Sequence, residues 1–102
     1  VGDKEFLEQV RAHNIRWRRW LEEELAGLGL SPVPSEANFV LTRFPGGAAA
    51  ANAANTHLIA DGILLRDMKA YGLDDCLRIT VGDEAALKAV VQSLATFLGR
   101  SA

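Results

Sequence analysis

Gly62-Ile63-Leu64-Leu65-Arg66-Asp67-Met68, followed at a distance by Cys76-Leu77-Arg78-Ile79-Thr80-Val81-Gly82, is the pair of segments whose reading decides the fold. Ile63 to Arg66 and Cys76 to Val81 are short runs of apolar and β-branched residues, which read as two strands separated by the loop Asp67 to Asp75 with its turn residue Gly72. Side chains alternate along a strand, so Leu77, Ile79 and Val81 share one face while Cys76, Arg78 and Thr80 share the other. By the same rule Arg66 lies opposite Ile63 and Leu65. If the strands pair antiparallel with Arg66 facing Cys76, Leu64 faces Arg78, and the two arginines stand diagonally on one face about 7 Å apart.

Working outward from these strands, Asp3 to Leu28 carries Phe6, Val10, Trp17, Leu21, Leu25 and Leu28 at helical spacings, and Gly29 follows as a stop. This is a long amphipathic helix whose outer face holds Arg18 with Glu22 and Arg19 with Glu23. Trp17 and Trp20 sit on its apolar stripe and read as core. Ser31-Pro32-Val33-Pro34-Ser35 cannot continue a helix and reads as a connector. Asn38 to Phe44 is a strand closed by Pro45-Gly46-Gly47, and the alanine-rich run Ala48 to Asp61 is a second helix ended by Gly62. Asp83 is the N-cap of a last helix that puts Leu87, Val90, Val91, Leu94 and Leu98 on one stripe. The expected architecture is α+β in the order α-β-α-β-β-α, with a small sheet of about three strands covered by helices on one face.

The 102 residues support one core and one domain, residues 1–102. A net charge of -2 supplies no field for nucleic acid or an anionic membrane, and no apolar stretch approaches the roughly 20 residues needed to span a bilayer. The lone Cys76 has no internal disulfide partner and no secretory signal opens the chain, which fits the cytoplasm. His13 and His57 stand on separate helices without metal-ligand spacing, so no metal site is expected. Cys76 reads as a small buried strand residue rather than a nucleophile paired with His57. Gly46-Gly47 before a helix is explained by a turn.

Chemically, two guanidinium forks converging from a rigid sheet suit a carboxylate or phosphate held by paired hydrogen bonds. From spacing alone a second reading stands beside it, in which each arginine is a surface residue or a partner for a nearby acid such as Asp67.

The two quoted segments, with Tyr71-Gly72-Leu73 between them, resemble the end of the histidinol-phosphate aminotransferase family, a group of fold-type I pyridoxal-phosphate enzymes. Pro34-Ser35-Glu36-Ala37-Asn38-Phe39-Val40-Leu41 resembles the small-domain strand of the same family, and the likeness runs from about residue 10 to about residue 98. The resemblance implies a C-terminal small domain whose large, cofactor-binding domain lies upstream. It implies that Arg78 anchors the substrate and that Arg66 helps hold its anionic end. It also implies exchange of an amino group between glutamate and imidazole-acetol phosphate, in a homodimer using pyridoxal 5'-phosphate. Asn38 matches the family's Ala-Asn-Phe element and is read as a strand-end hydrogen-bonding residue. None of Lys4, Lys69 and Lys88 stands in the family's Schiff-base setting, so no catalytic residue and no bound cofactor are expected in this stretch. An uncovered domain-facing side should leave an exposed apolar patch or cause self-association. The alternatives are the small domain of a related enzyme such as threonine-phosphate decarboxylase, a stand-alone regulatory module binding an anionic metabolite, and a structural dimerisation domain.

Overall fold

The computed structural model describes residues 2–33 and 38–99. A long first helix, α1 (Gly2–Gly27), leads to a short strand β1 (Ser31–Val33) and then to β2 (Phe39–Arg43). Helix α2 (Ala48–Ala60) follows, then β3 (Arg66–Met68), a 3-10 turn (Lys69–Tyr71), β4 (Leu73–Thr80) and the closing helix α3 (Glu84–Leu98). The strands form one antiparallel sheet in the order β1-β2-β4-β3. The α+β architecture is as expected, with one strand more than the sequence reading supplied. Ser31–Val33, read as a connector, pairs with β2 through Pro32 opposite Thr42. A proline cannot donate to a ladder, and an edge strand is where that omission is tolerated. The stretch Pro34 to Ala37 lies outside the described residues.

All three helices build one core over one face of the sheet. Trp17, Leu21, Leu25 and Leu28 come from α1 and its exit, Ala51, Ala54 and Leu58 from α2, and Leu87, Val90, Val91, Leu94 and Ala95 from α3. They meet Val40, Leu77, Ile79 and Val81 of the sheet. The small residues of α2 let its backbone lie close to the strands, which an amphipathic stripe of large residues would prevent. Gly62, at φ 80° after α2, takes the left-handed conformation that the sequence assigns to it. The Gly47 amide donates to the Phe44 carbonyl at 2.9 Å, so a turn does account for Gly46-Gly47.

Polar contacts tie the helices together. The Ser93 hydroxyl donates to Asp61 Oδ2 at 2.6 Å, and His57 Nε2 lies 3.4 Å from the same oxygen, joining the end of α2 to α3. His13 Nε2 stands 3.1 Å from the Gly82 carbonyl and joins α1 to the start of α3. Arg18 and Glu22 pair along α1 at 3.5 Å. Among the described residues, no helix is long and apolar enough to cross a membrane.

The two halves of α1 differ. Its second half is buried along the Trp17, Leu21, Leu25 stripe, whereas residues 4–13 are all exposed. Phe6 and Leu7 are each more than 60% exposed, and Val10 is 40% exposed. Phe6 and Val10, read from the sequence as part of the buried stripe, therefore lie beyond the core, where α1 has no sheet or helix to pack against among the described residues.

Candidate anion site on the open face of the sheet

Strand β4 presents Leu77 and Ile79 to the helices and turns Arg78 to the opposite face, as parity requires. The pairing of β4 with its two neighbours then fixes what surrounds Arg78. On β2 its partner is Leu41, which in turn faces Val33 of β1, and on β3 its partner is Arg66. A row Val33, Leu41, Arg78, Arg66 therefore crosses all four strands on the face that the helices leave open.

The register differs from the one assumed from sequence. Arg66 faces Arg78, not Cys76, and Cys76 faces Arg43 of β2. Leu64 lies outside the ladder, because β3 begins only at Arg66. β4 starts at Leu73, within the stretch read as a loop, and an irregularity between Asp67 and Met68 absorbs the difference in strand length. The displacement amounts to two residues, an even number, so the arginines keep their common face. They are directly opposed, which brings their Cβ atoms to about 5 Å rather than the diagonal 7 Å.

Like charges directly opposed across a ladder are destabilising on their own. Among the described residues, no acid forms an ion pair with either Arg66 or Arg78. Arg66 is exposed and Arg78 half-buried, with its Cζ 4.4 Å from the centroid of the Phe39 ring. Arg78 Nε is buried and has no hydrogen-bond partner among the described residues. A third arginine on this face, Arg43, is treated differently, since its Nε lies 3.3 Å from Asp75 Oδ2. Beside the pair runs a cleft of about 420 Å³, lined by Ile63, Leu65 and Thr80 with the first turns of α3, and no acidic side chain lines it among the described residues. Two uncompensated guanidinium groups at the edge of an apolar cleft can hold an anion by forked hydrogen bonds.

Sequence reading had selected Arg66 and Arg78 but not Phe39, Leu41 or Arg43. The signal was present, since β2 obeys the same alternation, and applying parity to Asn38–Phe44 places all three on one face. Asn38 is exposed, and its main-chain carbonyl accepts from the Val81 amide at 2.9 Å, a strand-end bond that does not depend on its side chain. Cys76 is buried, with its Sγ 3.5 Å from Asp75 Oδ1. No group of three His, Cys, Asp or Glu side chains that would hold a metal occurs among the described residues.

The chain matches the family described as aminotransferase class I and II over residues 2–94, and it belongs to that family. Over 99 residues it is 46% identical to the histidinol-phosphate aminotransferase of Paramagnetospirillum magneticum, an alignment covering 96% of this chain and 27% of that enzyme. Its fold superposes on the crystal structure of histidinol-phosphate aminotransferase from Sinorhizobium meliloti, in complex with pyridoxal 5'-phosphate, with a TM-score of 0.87. That match has 27% identity and covers 96% of this chain and 27% of the other. The L-threonine-O-3-phosphate decarboxylase of Porphyromonas gingivalis superposes with a TM-score of 0.63 at 28% identity, over 83% of this chain and 28% of that one. The chain thus spans about a quarter of the length of the relatives it matches.

Pyridoxal phosphate needs a lysine for its Schiff base and an acid for its ring nitrogen. Lys4, Lys69 and Lys88 are all exposed, and Lys88 Nζ is engaged by Glu84 at 2.6 Å. None of them lines the cleft beside the arginine pair. These residues do not fit the cofactor as its covalent holders.

Proposed function

We propose that this chain is the C-terminal small domain of a histidinol-phosphate aminotransferase, and that Arg66 and Arg78 hold the anionic end of its substrate. The observation that carries the reading is the direct opposition of two arginines on the uncovered face, with no ion-paired acid at either among the described residues. Such an arrangement is relieved when a carboxylate or phosphate lies between the forks. Exchange of an amino group between glutamate and imidazole-acetol phosphate brings one anionic substrate after the other into a single site, which paired guanidinium groups suit. The arginines bind and orient, and the pyridoxal cofactor of the complete enzyme supplies the covalent chemistry from outside these residues.

The complete enzyme on this reading is a cytoplasmic homodimer with a large domain that these residues do not contain. The exposed first half of α1, with Phe6, Leu7 and Val10, is the surface against which that remainder packs. The likeness to a threonine-phosphate decarboxylase supports a second reading of the same site, in which the phosphorylated substrate loses carbon dioxide, and the 46% identity to a histidinol-phosphate aminotransferase supports the first.

Steady-state kinetics of the full-length protein decide between them. Transfer from histidinol phosphate to 2-oxoglutarate is expected, and Arg78→Ala should raise KM for histidinol phosphate about ten- to hundredfold, the range for losing a charged, forked hydrogen bond. Release of carbon dioxide from threonine phosphate without transamination would favour the second reading. An unchanged KM in Arg78→Ala would remove the anchoring role.

A further inference from the structure

Arginines are usually oriented by acids. On this sheet Arg43 is, through Asp75 at 3.3 Å, a contact that sets an opposite charge beside its own. Arg78 is held in another way. Its Cζ lies 4.4 Å from the centroid of the Phe39 ring, within the range of a cation–π contact. Phe39 pairs with Thr80 and Leu41 with Arg78, so Phe39 is the diagonal neighbour of Arg78 on the same face, a separation that an aromatic side chain bridges. Both side chains are half-buried, and the ring sits on a strand secured on either side by β1 and β4.

We infer that Phe39 is a positioning residue for the anion site, a ring that fixes the plane of the Arg78 guanidinium without neutralising it. The inference rests on the reading of Arg66 and Arg78 as an anion site. A guanidinium has two kinds of surface, its flat faces and the edge along which its N–H groups point. A carboxylate or phosphate needs the edge. An aromatic ring occupies a face, so it removes rotational freedom from the side chain and leaves the donors available. The absence of any hydrogen-bond partner for Arg78 Nε among the described residues agrees with a plane set by stacking. Leu41, directly opposite Arg78, extends the apolar support toward β1 and carries no group that competes with an anion.

The test uses the full-length enzyme with inorganic phosphate as the probe, read as a competitive inhibition constant beside KM and kcat for histidinol phosphate. Phe39→Leu keeps an apolar residue and removes the π face, and it should weaken phosphate inhibition about three- to thirtyfold, the range of a cation–π contact. The loss should fall on KM and the inhibition constant rather than on kcat, and Phe39→Tyr should restore wild-type values to within about twofold. Phe39→Met takes the place of Phe39→Leu if thermal unfolding shows the latter to be misfolded. Unchanged phosphate inhibition in Phe39→Leu, alongside a large loss in Arg78→Ala, would overturn the positioning role and leave the anion site standing. Equal losses in the leucine and tyrosine variants would overturn it too, since ring character would then be irrelevant. No loss in Arg78→Ala would bring down the anion site and the inference together.

Discussion

Cys76 lies two residues before Arg78 on the same face of β4, yet it is sealed where Arg78 is open. Only 1% of its surface is accessible. Burial pushes its thiol above the ordinary cysteine range, a hydrogen bond from Arg43 works in the opposite sense, and the Asp75 carboxylate adds to the rise. The native state therefore holds the thiol proton more tightly than the unfolded chain. The associated stability is complete below the ordinary thiol range and is lost as the pH climbs through and above it. Alkylation by iodoacetamide at pH 8 should accordingly be at least about tenfold slower in the native protein than in urea. Equal rates would show that Cys76 is not enclosed as described. At this scale alternation alone placed both Arg66 and Arg78 on the open face. Their direct opposition was not legible, because register depends on where β3 begins and on the irregularity after Asp67, neither of which leaves a mark in residue type.

At the scale of elements, legibility followed the strength of local chemistry. The last helix was marked at its start, and Asp83 Oδ1 accepts from the Ala86 amide at 2.7 Å as an N-cap should. Lys88 Nζ meets Glu84 one turn back, and that hydrogen bond holds the Glu84 carboxyl below its usual range. Replacing Asp83 with Ala should cost about 1 kcal/mol, which lowers the midpoint of thermal unfolding of the 102-residue chain by roughly 4–8 °C. A shift below 1 °C would mean that the cap is dispensable. Strands were harder to place. Two prolines made Ser31 to Ser35 look like a connector, although Pro32 belongs to an edge strand, where the missing N–H costs little. Ile63 to Leu65 has strand composition but is left outside the ladder, while Leu73 to Asp75, with two aspartates, is inside it. Composition reports a preference for the pleated surface, and pairing is decided by which neighbour is near.

For the molecule as a whole, three helices on one side of a four-stranded sheet leave the other side uncovered. That asymmetry was legible from alternation in the strands together with stripes on the helices. The longest axis, 49 Å, reflects α1, whose 26 residues span about 39 Å at 1.5 Å per residue and outrun the core they serve. A helical stretch exposed on every side gains little from packing, and the chain spans only about a quarter of its relatives. Both facts support the proposal that further polypeptide packs along α1. The central claim is that Arg66 and Arg78 share one anion. A double-mutant cycle in the full-length enzyme, built from Arg66→Ala, Arg78→Ala and the pair, tests it through inhibition by inorganic phosphate. Each single change should weaken inhibition about tenfold or more, and the double variant should lose less than the product of the two, with a coupling of at least about 0.5 kcal/mol. Losses that multiply independently, or an inhibition constant that neither substitution alters, would contradict a shared anion.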